Sequence, residues 1–296
     1  MAVGRGVGGA APAITIEVVG TPVGEEAVLR STAAHTQPEP SYQPNQWIDE
    51  FDPVFRDKIR PAFQFLHDKY WRVETSGVHH LPERGPAILV ANHSGAVPFD
   101  GAMIVTSLAA QRNLTVRFLY DPFVDNLSPV ASFYRKVGGI PATRENALAA
   151  LRAGEILLVF PEGVPGVAKP FSDRYRLRPF NPGFARLAFS LDVPVVPIAV
   201  VGAEEIYPLV ARAEGIGKML GMPYVPITPF FPVLGLLGAV PLPTKWFIRV
   251  GKPLRLAPAE GQECRPRSRQ EAIRLRRTIQ AMLGRLRARR RSVFFG

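Results

Sequence analysis

Three short segments carry residue types able to do chemistry, and each follows or borders an apolar run that reads as a strand. The first is ANHSGAVPFDG, residues 91–101, directly after AILVA at 87–91. His93 is the best general-base candidate among five histidines, because an imidazole titrates near working pH. A base gains from a carboxylate that orients its far nitrogen, and Asp100 is available for that role. On a straight helix, seven positions separate the two by about 10 Å, too far for a hydrogen bond. Gly95 and Pro98 predict an intervening turn, which brings Asp100 to the start of the next helix and against His93. The second segment is GGIPATR, residues 138–144. Its glycines, Gly139 among them, let the backbone approach a ligand, and Arg144 can hold a phosphate or carboxylate in two parallel hydrogen bonds. The third is FPEGVPG, residues 160–166, after EILLVF. Pro161 ends the strand, the Glu162 carboxylate can accept hydrogen bonds from hydroxyl groups, and Gly163 and Gly166 open space. Alone, the second segment reads equally as a turn before a solvated arginine, and the third as a tight turn with a capping glutamate.

The elements that must position these residues alternate in type. AILVA (87–91), TVRFLY (115–120), EILLVF (155–160), VPVVPIAVV (193–201) and WFIRV (246–250) read as buried strands, with the register of the fourth uncertain because of its two prolines. Between them, Asp100–Ala110, Arg144–Arg152 and a segment opened by Asn181-Pro182 read as helices, with Gly154 as a C-terminal stop for the second. Strands alternating with helices predict an α/β fold, a largely parallel sheet flanked by helices. In such sheets ligands gather at the carboxyl ends of the strands, where the three segments lie. Before the sheet, Asp52 and Pro53 predict a helix start, and Phe51, Phe55, Ile59, Phe63, Leu66 and Tyr70 share one face, with a kink expected at Pro61. This N-terminal amphipathic helix suits either packing on the core or a membrane surface.

Taken in this order and spacing, the segments resemble the boxes of the glycerolipid (lysophospholipid) acyltransferase family: Asn92-His93…Asp100, Gly139…Arg144, Phe160-Pro161-Glu162-Gly163 and Val193-Pro194-Val195-Val196-Pro197. The resemblance covers about residues 50–258. It implies an acyltransferase-type α/β fold and transfer of a fatty acyl group from acyl-CoA or acyl carrier protein to a hydroxyl of a glycerolipid, most simply a lysophospholipid such as 1-acylglycerol-3-phosphate. His93 and Asp100 are then catalytic, and Asn92, Ser94, Gly139, Arg144, Glu162 and Gly163 bind substrate. His93 takes the hydroxyl proton, and backbone N–H groups of the Ser94–Gly95 turn are candidates for holding the oxyanion. No cofactor beyond the acyl donor, and no metal, is implied. Two departures stand out. Six residues separate His93 from Asp100 where the family usually has four. The third box continues Val-Pro-Gly where Thr-Arg-Ser is usual, which removes an arginine associated with an acceptor phosphate. Lys169, Arg174 and Arg176 follow as possible substitutes. The departures look closer to the branch with mono- and diacylglycerol acyltransferases, so a neutral acceptor is the alternative.

Composition narrows the class. With 296 residues, 47% of them hydrophobic, the chain can bury a full core. One cysteine, Cys264, excludes an intrachain disulfide framework and a multi-cysteine zinc site. No Gly-x-Ser-x-Gly elbow or phosphate-binding GxxxxGK[ST] loop occurs. The net charge of +11 is concentrated: residues 264–291 hold eleven Arg and one Glu. That segment opens with Ser268-x-x-Glu271, a capping-box pattern, and sets Leu275, Ile279, Met282, Leu283 and Leu286 along one side. It predicts a basic amphipathic helix with an anionic membrane surface as partner, against a merely solvated helix or a nucleic-acid contact. No nucleic-acid module is legible in the body, so no nucleic acid is expected as a partner. A catalytically silent membrane-binding protein is the remaining alternative. Residues 219–244 contain no charge and six prolines, which suits a shallow membrane-dipping loop, an acyl-tunnel wall or an irregular core segment better than a membrane-spanning helix. No secretory leader is legible, so the expected location is the cytoplasmic face of a membrane, peripheral or monotopic. The expected organisation is a disordered tail over 1–46, an acyltransferase domain over 47–260 with an amphipathic entry helix at 47–78 and the apolar segment at 219–244, and the basic helix at 261–296.

Overall fold

The computed structural model describes residues 16–18, 47, 50–94, 97–257 and 261–296. In chain order the elements are β1 (Ile16–Val18), α1 (Pro53–Phe65), β2 (Glu74–Ser76), β3 (Ala87–Ala91), α2 (Phe99–Arg112), β4 (Val116–Tyr120), α3 (Ser128–Lys136), β5 (Gly139–Pro141), α4 (Arg144–Arg152), β6 (Ile156–Val159), α5 (Val164–Val167), α6 (Gly183–Leu191), β7 (Val195–Val201), β8 (Ala211–Ala213), α7 (Glu214–Met219), β9 (Val225–Ile227), β10 (Phe247–Val250) and α8 (Cys264–Arg289). Seven strands form one sheet in the order β2-β10-β7-β3-β6-β4-β5. The five from β7 to β5 are parallel, and β10 runs antiparallel to β7. The fold is α/β, as the alternating pattern predicts.

The central strands are apolar throughout because both faces of the sheet are covered. In β3, Ile88 and Val90 face one layer, with α4, α6 and α8, while Ala87, Leu89 and Ala91 face the other, with α2, Trp71 and Trp246. Pro197 sits inside β7 without breaking it. Its carbonyl accepts from Gly251 N, so its missing N–H lies on the same side, one residue before the ladder with β10 begins.

Four expectations are corrected. The stripe of α8 is core: Leu275, Ile279, Met282, Leu283 and Leu286 are all buried against the sheet layer, so this face is not free to lie on a membrane. The helix begins at Cys264, and Ser268 lies inside it with its hydroxyl donating to Arg265 O at 2.9 Å, so no capping box forms. The 47–78 segment is not one helix. Asp52 caps α1 by accepting from Phe55 N at 2.9 Å, but α1 ends at Phe65, a π-helical turn covers Leu66–Tyr70, and β2 follows. At that turn, buried His67 meets Ser107 Oγ of α2 at 2.7 Å and Asp68 at 2.6 Å. Ser107 is wholly buried, so this trio anchors α2 and is no nucleophile. Finally, Ile16–Val18 pairs antiparallel with Ala211–Ala213 in a second, three-stranded sheet with β9, where a structureless tail was expected. The rest of 1–46 lies outside the described residues.

The charge-free 219–244 stretch begins in α7, includes β9 and ends in irregular chain. Met219, Leu220, Val233, Leu234, Leu237 and Val240 are all exposed, Leu237 by 76%. Its end is pinned by Tyr70 and Tyr207, whose hydroxyls donate to Pro241 O and Ala239 O. Among the described residues no helix is long and apolar enough to cross a membrane.

Candidate active site

The crossover from β3 leaves through α2 on one face of the sheet, and that from β6 leaves through α6 on the other. The two strands are neighbours, so their carboxyl ends form the switch point of the sheet. His93 follows β3 and Glu162 follows β6, and they meet there.

His93 Nδ1 lies 2.8 Å from Asp100 Oδ2. A carboxylate only accepts, so Nδ1 carries the proton and Nε2 is left with its lone pair. Asp100 is fully buried in the first turn of α2. Its carboxylate also accepts from Ser94 N and Gly101 N, each at 2.8 Å, and three donors at a helix N-terminus hold it in one orientation. The pairing across a turn is the one the sequence predicts. The His93 ring is stacked on Phe160, with centroids 4.3 Å apart, and Nε2 has no hydrogen-bond partner among the described residues. Tyr134, on the wall of the same groove, is pushed up to about 12 by burial and by the negative charge of Asp100.

Several residues expected to touch substrate are committed elsewhere. Asn92 is wholly buried and its amide bridges to β7: Nδ2 donates to Val200 O at 3.1 Å, and Oδ1 accepts from Val200 N at 2.8 Å. It fastens the end of β3 and leaves no atom for a ligand. Glu162 is also buried. Oε1 accepts from His93 N at 2.9 Å, and Oε2 accepts from Arg178 N at 2.7 Å and from Lys169 Nζ at 3.4 Å. It therefore holds the main chain of His93, with three donors already on its two oxygens. Ser94 N is spent on Asp100, which removes it as an oxyanion donor, and Gly95 lies outside the described residues. Ser94 Oγ is buried and has no partner among the described residues. Gly139 lies in β5, where a Cβ would fall 2.8 Å from Tyr134 O and 3.0 Å from the Phe118 ring, so its small size serves packing. Gly163, with φ of 57°, makes the left-handed turn into α5.

The sequence reading left Phe160 without a role and took Gly166 only as open space. Gly166 is the point where α5 crosses the site: a Cβ there would fall 2.7 Å from Glu162 Cβ and 3.0 Å from His93 Cβ. The repeated glycines of FPEGVPG were the only signal for it.

An open groove of ≈ 4290 Å³ runs past His93. One part of its wall is apolar, including Phe123, Val130, Phe133 and Tyr134, and Met222 and Tyr224 from the apolar stretch. Another part is basic: Arg144, Arg176, Arg178, Arg186 and, from α8, Arg265, Arg269 and Arg276. Arg144 opens α4, capped by Thr143, and is exposed, as is Arg176. Of the substitutes for the missing third-box arginine, only Arg176 lines this groove. Lys169 is buried between carboxylates, and Arg174 lies over the Phe171 ring. Among the described residues no cluster of three or more His, Cys, Asp or Glu could hold a metal.

A base oriented by a buried carboxylate, at the head of a groove with apolar and cationic walls, can activate a hydroxyl beside an amphipathic anionic substrate. The Acyltransferase family model matches residues 72–201, which include the whole of this constellation up to β7. The chain belongs to this acyltransferase family. An uncharacterized protein of Mycobacterium leprae is 42% identical over 259 residues, 84% of this chain and 70% of the relative. The Gallus gallus DGAT1/2-independent enzyme synthesizing storage lipids is 29% identical over 173 residues, 56% of this chain and 51% of that protein. The fold is similar to the crystal structure of the 1-acyl-sn-glycerophosphate (LPA) acyltransferase PlsC from Thermotoga maritima, with a TM-score of 0.50 and 18% identity over 80% of this chain and 81% of that one.

Proposed function

We propose that this acyltransferase moves a fatty acyl group from acyl-CoA or an acyl carrier protein to a hydroxyl of a glycerolipid, a lysophospholipid such as 1-acylglycerol-3-phosphate. The observation that carries the reading is the His93–Asp100 pair, whose Nε2 has no hydrogen-bond partner among the described residues, at the groove. The acceptor hydroxyl gives its proton to Nε2 as its oxygen attacks the thioester carbonyl carbon. Asp100 stabilises the imidazolium. The tetrahedral intermediate collapses with loss of the thiolate, which takes the proton back from Nε2, and the ester leaves. The apolar wall suits the acyl chain. The arginines that line the groove suit the anionic carrier of the donor and, at Arg144 and Arg176, an acceptor phosphate.

A neutral acceptor, mono- or diacylglycerol, is the second reading. It is favoured by the apolar Val164-Pro165-Gly166 that follows Glu162-Gly163, and by the resemblance to the storage-lipid enzyme. For attachment to the cytoplasmic face of a membrane, the exposed apolar residues of 219–240 now support the reading better than α8, whose apolar face is core. The test is incubation of purified protein with labelled acyl-CoA and a panel of lysophosphatidate, other lysophospholipids, mono- and diacylglycerol. Transfer to lysophosphatidate is expected, and His93→Ala should lower the rate by about 10²–10⁴ while leaving the fold intact. Near-normal turnover in the folded variant removes the mechanism. Transfer only to neutral glycerides selects the second reading.

A further inference from the structure

Behind the His93 loop lies a buried ionic cluster that the reaction does not itself use. Lys169 Nζ sits 2.9 Å from Glu204 Oε1 and 3.4 Å from Glu162 Oε2, and the three side chains are 2%, 5% and 0% exposed. Glu204 follows β7, and its second oxygen accepts from Tyr175 N at 2.8 Å. The cluster thus joins the ends of β6 and β7 and the 169–178 loop, and Glu162 carries it to His93 N at 2.9 Å. Two carboxylates and one ammonium leave a single net negative charge, spread over backbone donors at His93, Arg178 and Tyr175. The groups facing Glu162 are Lys169, Glu204 and His93. The Arg178 guanidinium beside it is paired with Asp173, and beyond Glu204 Tyr175 lies against the Glu205–Arg290 pair. Burial pushes the Glu204 carboxyl up, and Lys169 pulls it down.

We propose that Lys169 is a positioning residue for the acyl transfer: by bridging Glu162 and Glu204 it keeps both as carboxylates, so that Glu162 clamps the His93 main chain and sets the imidazole on Asp100. The inference rests on His93 being the base. The physical reason is that two buried carboxylates facing one another without a cation cannot both ionise. In Lys169→Met one of them takes a proton. When the shared proton sits on Glu162, one acceptor site fewer is left for the two main-chain donors that remain on it, His93 N and Arg178 N. The main chain of His93 then loosens. A displacement of order 1 Å at the reacting group costs about 10² in rate. The double variant Lys169→Met/Glu204→Gln restores the original net charge of the cluster and leaves Glu162 as its only carboxylate.

The experiment compares wild type, K169M and K169M/E204Q in kcat and KM over pH 5.5–9 (roughly the range of an imidazole and a raised carboxyl), using the acceptor that wild type turns over best. In parallel, NMR follows the His93 Nδ1–H resonance held by Asp100. For K169M, kcat should fall about a hundredfold near neutral pH with KM changed little, and activity should keep rising with pH where wild type has levelled off. The Nδ1–H signal should weaken. E204Q on top of K169M should recover about tenfold in kcat, return the acidic limb to its wild-type position and restore the signal. Wild-type kcat and pH profile in K169M overturn the proposal. So does a loss that E204Q leaves untouched, because Lys169 then contributes packing alone. If K169M does not fold, the double variant decides: a folded protein with a wild-type pH limb and signal supports the clamp, and an inactive one with the signal lost refutes it. Absence of acyl transfer in wild type would overturn the functional reading instead, while the NMR comparison still reports on the clamp.

Discussion

Replacing Gly166 by alanine tests whether the position of His93 sets the rate. Gly166 is not in the left-handed region of the backbone, so the substitution adds a methyl group without conformational strain. The added Cβ would lie 3.0 Å from His93 Cβ and 2.7 Å from Glu162 Cβ, whereas ordinary contact begins at 3.4 Å. Neither neighbour is the free end of a flexible chain: each Cβ is fixed to the main chain at a strand end, and the two are tied together through Glu162 Oε1 and His93 N. The gap must therefore open by about 0.4–0.7 Å, and with roughly 10² in rate per ångström at the reacting group the loss is about 6- to 25-fold in kcat. Overpacking of this kind also destabilises by about 1–3 kcal/mol. The assay is steady-state acyl transfer at saturating donor and acceptor, with a urea unfolding curve on the same preparation. A reduced kcat with little change in either KM is expected. A folded variant whose kcat stays within about twofold of wild type would show that the loop absorbs the methyl group and that His93 tolerates the shift.

Arg144→Ala should raise KM for lysophosphatidate several-fold and leave KM for monoacylglycerol unchanged; equal effects on both acceptors mean that Arg144 does not hold the phosphate. Ile279→Ala in α8 should cost about 2–5 kcal/mol in urea unfolding, because Ile279 is fully buried against the sheet, and should leave vesicle co-sedimentation of the folded protein unchanged; unchanged stability would return the helix to the surface. Tyr134 and Tyr207 are both pushed up to about 12 from 10.0, first by burial. The folded state therefore holds protons that the unfolded state releases above pH 10. The stability these groups contribute is complete below pH 10 and is lost as pH rises toward 12. A urea midpoint that stays flat from pH 9 to 12 contradicts that burial (the span starts about one unit below the unfolded value and ends at the raised one).

Local chemistry made much of this legible from the chain. Ile88, Leu157 and Val196 lie in apolar runs too short for helices, between helices with recognisable starts and stops, and this alone defines five strands of the sheet. Asp52 caps its helix as its residue type predicts, and Gly95 and Pro98 pointed to a turn through which Asp100 could meet His93. What the sequence leaves undetermined is which partner each polar or apolar face meets, since the same residue satisfies a local pattern in more than one surrounding. Leu275 and Ile279 make the same stripe whether the facing surface is lipid or β7, and only the packing of α8 across the sheet chooses the core. Asn92 and Glu162 carry the groups a substrate contact needs. Their partners are Val200 N and O and His93 N, which stand 108 and 69 residues away in sequence, and a buried polar group bonds to whatever donor or acceptor the folded strands bring within 3 Å. The proposed base was therefore legible from its own chemistry, and the residues that hold it in place were decided by the tertiary structure.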